Sequence, residues 1–223
     1  MVLIVGVGLL PMTVKAFAML PAASATTPDT GGAVYAVEFA RLPGDVDAAP
    51  GLSLAHGLER FEQMRSGTQF DMVYAHYYAA FLALWCIAAG SGRWLEMVAG
   101  VVLAVAAGWL DVRENLAILA ILEGWPAEVP AYGSLRMYAT AKFAAIAGVL
   151  AVAGSLLLGR ATYSRARLAI AVVLFVCAGL VGANLATPQP TGTVLGNAIG
   201  AGWVLMLGYA GVQAWRGTAR AGG

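Results

Sequence analysis

The chain has 223 residues, of which 60% are hydrophobic and 11% are charged, and its formal net charge is +1. Soluble domains carry roughly 25% charged residues, so this composition is typical of a polytopic membrane protein. The near-neutral charge gives no basis for binding nucleic acid. Cys86 and Cys177 lie in apolar runs, and the sequence shows no phosphate loop, zinc-ligand spacing or other cofactor motif. We predict an all-α bundle of about six transmembrane helices, with no metal and no cofactor.

Residues 1–23 form the first apolar segment. Ala23-Ser24-Ala25 fits a small-residue cleavage site, so the segment could be a secretory signal peptide. Pro11 and Lys15 interrupt the apolar run, however, and no basic residue precedes it. We expect a retained first transmembrane helix, and a cleaved signal peptide that leaves five spans is the alternative.

Residues 24–70 form a long polar segment, which we expect to lie outside the cytoplasm. Apolar residues recur in its second half near helical spacing, at Leu52, Leu54, Leu58, Phe61 and Met64. This pattern predicts an amphipathic helix that lies on the membrane surface or caps the bundle. A five-helix bundle over residues 71–216 follows, and its first span, residues 71–90, is opened by Asp71 and is rich in tyrosine.

The next apolar run, residues 94–122, is longer than the roughly 20 residues that cross a membrane, so it must tilt, protrude or break near Asp111. Asp111, Glu114 and Asn115 are spaced i, i+3 and i+4 and share one helical face. Because a carboxylate is costly in lipid, such residues usually face a bundle interior or a wet cavity.

Three further spans are predicted, over residues 134–158, 168–186 and 192–215, before a tail of residues 217–223. Ser134 is a candidate N-cap for the first of them. The last span contains small residues at four-residue intervals, which favours close packing of a neighbouring helix. These residues are Gly192, Gly196 and Gly200.

Basic residues cluster at Arg93, in the turn over residues 160–167 and in the tail, all on one side of the predicted bundle. By the positive-inside rule, this side and the C-terminus are cytoplasmic in a multi-pass protein of the cell membrane. At about 1.5 Å per residue, Asp111 then lies about 26 Å along its helix, in the outer half. Lys142 and the other intramembrane polar residues fall at a similar depth: Asp71, His76, Asn184 and Asn197.

This convergence predicts a polar pocket in the outer half of the bundle. Its candidate binding residues are Asp71, His76, Tyr78, Asp111, Glu114, Asn115 and Lys142. Asp111 and Glu114 would act as general base and acid or as a proton-coupled pair, and Lys142 would neutralise a carboxylate or hold a lipid headgroup. The apolar part of the pocket would be lined by Tyr74, Tyr77, Tyr78 and Trp109.

Each candidate residue also has a structural interpretation. Asp71 could be an N-cap, His76 a packing residue, and Lys142 could extend along its stem to the interface. A structural ion pair between Lys142 and Glu114 or Asp111 would fix helix register without any binding role.

Several of these residues also form a recurring pattern. It comprises Asp71 with Tyr74 and Tyr78; Asp111, Glu114 and Asn115; Trp125-Pro126; Thr140, Lys142 and Phe143; and Val37-Glu38-Phe39-Ala40-Arg41. In this the chain resembles a family of uncharacterised membrane proteins of bacteria and eukaryotes, although Ala75 stands where the family has proline. The resemblance covers roughly residues 35–145 in short motifs. The resemblance implies that these polar residues act together, and it indicates no activity for the chain.

Two functions fit these observations. The protein could bind or process a membrane lipid or another amphipathic small molecule in the pocket, with or without catalysis. It could instead be a structural or accessory subunit of a larger membrane complex or a homo-oligomer, with the polar set as an internal ion-pair lock.

Overall fold

A computed structural model describes residues 1–19, 33–40, 58–124, 129–159 and 164–221. In these ranges the regular secondary structure is entirely helical, which confirms the predicted all-α class. The helices are α1 (Val2–Met19), α2 (Ala33–Glu38), α3 (Leu58–Ala89), α4 (Trp94–Glu123), α5 (Val129–Leu158), α6 (Arg165–Leu185) and α7 (Gly192–Ala221).

Five of the described helices, α3 to α7, are long and apolar enough to cross a membrane. The protein is therefore a multi-pass integral membrane protein. The first helix, α1, is also apolar but shorter. Its 18 residues extend about 27 Å, close to the thickness of the hydrocarbon core.

Helix α1 packs lengthwise against α3 in the antiparallel direction. The hydroxyl oxygens of Thr13 and Tyr74 are 3.1 Å apart, and the Lys15 Nζ lies 4.7 Å from the centre of the Phe70 ring. Near its other end, a Cβ added at Gly6 would come within 2.6 Å of Leu207 on α7. Helix α1 thus occupies a position between α3 and α7.

Consecutive helices from α3 to α7 are neighbours, and α1 closes the ring by contacting both α3 and α7. A large apolar core fills the centre, and a smaller one joins α2 to the start of α3, the end of α4 and the start of α5. We call this second region the α2 end of the bundle. Along α4 the polar positions 111–115 lie between the two cores, because Ala107 belongs to the first and Ile118 to the second.

Several predicted boundaries differ from the structure, and α7, for example, continues to Ala221 through most of the predicted tail of residues 217–223. Helix α3 is continuous from Leu58 to Ala89, so the boundary expected at residue 71 falls inside a helix, and the predicted amphipathic segment from Leu58 onward is part of the same helix. Leu52 and Leu54 lie outside the described residues. Helix α5 begins at Val129, so Ser134 is not its N-cap. Helix α4 runs through Asp111 without a break.

The predicted glycine seam on α7 is wrong at two of its positions. Among the described residues, a Cβ added at Gly200 would meet nothing within 4 Å, and one added at Gly196 would meet only the Tyr35 side chain within that distance. Close helix approach occurs instead at Gly202, where an added Cβ would lie 2.7 Å from Leu150 Cδ2. Gly196 and Gly200 leave space beside α7 rather than drawing another helix against it.

Candidate functional site

The polar residues of four helices meet around the ammonium group of Lys142, which is only 6% exposed. Its Nζ atom lies 2.8 Å from Glu114 Oε2, 3.1 Å from Glu38 Oε1 and 3.3 Å from Asp111 Oδ1. A buried charge needs partners of this kind, because removal from water is costly for an unpaired ion. We call these residues, with Asp71 and Asn115, the Lys142 cluster.

Asn115 extends this network to α3. Its Nδ2 atom donates to Asp71 Oδ2 at 2.9 Å and to Asp111 Oδ1 at 3.3 Å. The i, i+4 spacing of Asp111 and Asn115 allows both hydrogen bonds from one amide group. Asn115 therefore couples two carboxyl groups that belong to different transmembrane helices.

Acidic groups outnumber basic groups in the cluster. Four carboxyl groups, those of Glu38, Asp71, Asp111 and Glu114, share the network with one ammonium, so their formal charge is −3 when all are ionised. Neighbouring Tyr35 adds no charge, because burial raises the pKa of its phenol far above its ordinary value. In the described part of the chain, Glu38 Oε2 has no hydrogen-bond partner.

A cavity of about 150 Å³ lies beside the cluster. Its polar wall includes Glu38, Asp71, Asp111 and Lys142, whereas Glu114 does not line it. The remaining wall is largely aromatic, apolar or small, with contributions from α1, α2, α3, α5 and α7. These residues are Thr13, Ala16, Tyr35, Tyr74, Tyr78, Phe143, Ile146, Gly196, Ile199, Gly200 and Trp203.

Three aromatic rings pack together on one side of this cavity. The Tyr78 ring centre is 5.5 Å from that of Trp203 and 5.6 Å from that of Tyr74. The Tyr78 hydroxyl donates to the Ala107 carbonyl at 3.1 Å, which anchors the ring between α3 and α4. Such contacts fix ring orientation and add to the stability gained by burial.

Six of the seven candidate binding residues lie in or beside this site, and His76 does not. His76 is exposed, and its Nδ1 atom contacts the Met72 carbonyl at 2.6 Å on the same helix. Tyr77 and Trp109 are 43% and 60% exposed and are absent from the cavity wall, unlike Tyr74 and Tyr78. The interpretation of His76 as a core packing residue is not supported either.

Asn184 and Asn197 do not belong to the Lys142 cluster. Asn184 hydrogen-bonds Thr191 through both its amide nitrogen and its oxygen and so holds the α6–α7 connection together. Asn197 is exposed. Asp71 lies well inside α3 and is therefore not an N-cap. Lys142 is buried among carboxylates and does not extend to the interface.

Sequence reasoning missed Glu38, Tyr35 and Trp203 as site residues. Glu38 appeared only in the motif shared with the resembled family, although an acidic residue within the apolar Val37–Ala40 stretch was a usable signal. Val37, Glu38 and Ala40 are all buried. The cluster thus includes a contact across 104 residues that no local periodicity reveals.

Among the residues that the structure describes, no three His, Cys, Asp or Glu side chains are arranged to hold a metal ion. The Lys142 ammonium occupies the place between the carboxylates. Comparison of the chain with protein-family models, curated proteins and solved structures gives no match. The resemblance to a family of membrane proteins stays a prediction.

Proposed function

We propose that this integral membrane protein binds the polar head of a lipid or of another amphipathic small molecule in the cavity beside Lys142. The observation that carries the proposal is the division of the cavity wall into a charged part and an aromatic and apolar part. Binding sites for small molecules commonly combine apolar walls with a few placed polar groups.

The dimensions of the cavity limit what enters it. A cavity of about 150 Å³ holds a molecule near the size of benzene, so a headgroup fits and a full acyl chain does not. Helices α1 and α7 approach closely at Gly6 and Leu207, whereas the cavity separates Thr13 from Gly200. In our proposal, the apolar tail leaves the site between these two helices and lies in the surrounding lipid.

The same geometry favours binding over acid–base catalysis by Asp111 and Glu114. Asp111 lines the cavity, but Glu114 is 1% exposed and does not line it. A general acid or base must come within hydrogen-bond reach of the reacting group. The predicted pairing of these two residues as base and acid is therefore not part of our proposal.

We expect replacement of Gly200 by leucine to reduce the amount of co-purified amphiphile at least tenfold, because the new side chain fills the cavity. Native mass spectrometry of the protein released from mild detergent measures this. Gly179→Leu is the matched control, since a Cβ at Gly179, on α6, also meets none of the described residues within 4 Å but lies away from the cavity. Equal ligand occupancy in both variants would contradict the proposal.

A structural role is the second candidate, and one observation favours it. Lys142 on α5 is held by three carboxylates from two other helices, α2 and α4, as expected for an ion-pair lock in an accessory subunit of a larger membrane complex or homo-oligomer. A lock alone gives no reason for the adjoining cavity, so we rank this candidate second.

We also propose that the α2 end faces away from the cytoplasm in the cell membrane and that the C-terminus is cytoplasmic. Arg93 supports this placement, because its Nη1 atom donates to the Ser155 carbonyl and so brings two basic connections to one end of the bundle. The positive-inside rule places that end in the cytoplasm.

Cysteine labelling of intact cells tests this orientation. We expect a membrane-impermeant maleimide to react with the Ser53→Cys variant and not with Ser164→Cys. The unsubstituted protein is the control, since its own Cys86 and Cys177 are buried. Labelling of Ser164→Cys alone would invert the topology.

A further inference from the structure

We infer that the ligand head is an organic cation of the ammonium class. It is held between the carboxylates of the Lys142 cluster that line the cavity and the rings of Tyr74, Tyr78 and Trp203. This inference rests on the proposed function, because it names the chemistry of the ligand that the same cavity takes.

The charge balance of the wall selects a cation. Asp71, Asp111 and Glu38 line the cavity, and the described residues form ion pairs with these groups only through Lys142. A purely anionic head, such as a phosphate, would add negative charge to a wall that already has more carboxylates than ammonium groups. A cation would reduce the repulsion among these carboxylates, which is strong where water is scarce.

One carboxylate oxygen in this wall is unsatisfied. Glu38 is 4% exposed and lines the cavity, and its Oε2 atom has no hydrogen-bond partner in the described part of the chain. A buried oxygen without a donor is costly and uncommon in native proteins. A positively charged group in the cavity would supply the missing interaction.

The aromatic wall suits the same class of ligand. Cations are attracted to the faces of aromatic rings, and clustered rings are a recurring means of holding quaternary ammonium groups. Tyr74, Tyr78 and Trp203 pack within 5.5–6.1 Å of one another and all line the cavity. Phosphate or carboxylate heads gain nothing comparable from ring faces.

The site already holds one ammonium group in this manner. Lys142 Nζ lies 4.5 Å from the centre of the Phe143 ring while it contacts three carboxylates. The cavity wall offers the same two kinds of partner, carboxylates and aromatic rings, to a second ammonium group. The excess of carboxylates favours an ammonium head over a neutral polar head, because a neutral head would not need it.

The test compares two probes of equal shape, choline and its neutral carbon isostere 3,3-dimethylbutan-1-ol, by calorimetric titration of the full chain in a non-ionic detergent. We expect choline to bind at least tenfold more tightly. Asp71→Asn and Trp203→Leu should each weaken choline binding about tenfold. Their matched controls are Glu62→Gln and Trp109→Leu, which change exposed residues away from the cavity and should leave binding unchanged.

Unfolding of each variant is measured alongside, so that a loss of fold is not mistaken for a loss of binding. Equal affinity for the two probes, or no binding of choline, overturns the inference. If Gly200→Leu still strips amphiphile from the protein in that case, the proposed function stands and only the cationic class is wrong. If Gly200→Leu also has no effect, the proposed function fails as well.

Discussion

Replacement of Lys142 by methionine should lower the free energy of unfolding of the bundle by about 3–5 kcal/mol, because it leaves buried carboxylates without their counter-ion. Methionine keeps roughly the length of the side chain and removes the ammonium group, with its charge and its hydrogen-bond donors. Reversible unfolding in mixed micelles measures the change. Lys15→Met is the control, since Lys15 is exposed and contacts the Phe70 ring rather than a carboxylate.

Glu114→Gln should also destabilise the protein, and the double variant should recover part of the combined loss. The Nζ to Oε2 distance of 2.8 Å predicts a coupling energy between about 0.5 and 3 kcal/mol in a double-mutant cycle. Strictly additive losses would show that the two groups do not interact. If the stabilised double variant keeps its bound amphiphile, the ion pair serves structure, and the binding role belongs to the cavity residues.

The second large effect is expected at a close contact between α3 and α4, at Gly108. A Cβ added at Gly108 would lie 2.7 Å from Ala79 Cβ and 3.2 Å from the Ala75 carbonyl oxygen. Gly108→Val must therefore separate the two helices, and we expect a loss of about 1–3 kcal/mol in unfolding free energy, as for other overpacked cores. The strain should also weaken amphiphile binding, since Asn115 joins these helices through Asp71.

Gly179→Val is the matched control for this prediction, because no described residue lies within 4 Å of a Cβ added there. Thermal unfolding in detergent measures both variants. Equal stability of Gly108→Val and the unsubstituted protein would contradict the close contact of α3 and α4 at Gly108.

The part of the site on a single helix was predictable because helical geometry is constant. The i, i+3, i+4 spacing placed Asp111, Glu114 and Asn115 on one face, and they are all buried. The same rule separates the residues of α3 from one another. Tyr78 lies about two turns from Asp71 on the same face, whereas His76 is rotated about 140° from Asp71, away from the cavity. Applied strictly, this rule of helical geometry would have excluded His76 from the predicted binding residues.

The parts that depend on distant contacts were not predictable in this way. Depth along the helices suggested that Lys142 lies level with Asp111, but depth says nothing about position in the plane of the membrane. Glu38 comes from a short helix outside the spans, and its place at Lys142 depends on tertiary packing. The α7 glycines show the converse limit, because small residues permit close packing without requiring it, and here two of them border a cavity.

The order of the cluster along the chain has a consequence for biosynthesis. Glu38, Asp71, Asp111 and Glu114 all precede Lys142, so a ribosome makes every acid before it makes their shared base. A nascent chain that ends after α4 carries these carboxyl groups without the lysine that the mature bundle gives them. Helices α3 and α4 are therefore synthesised before the ammonium group that pairs with their carboxylates, and the cluster is complete only once α5 has been added.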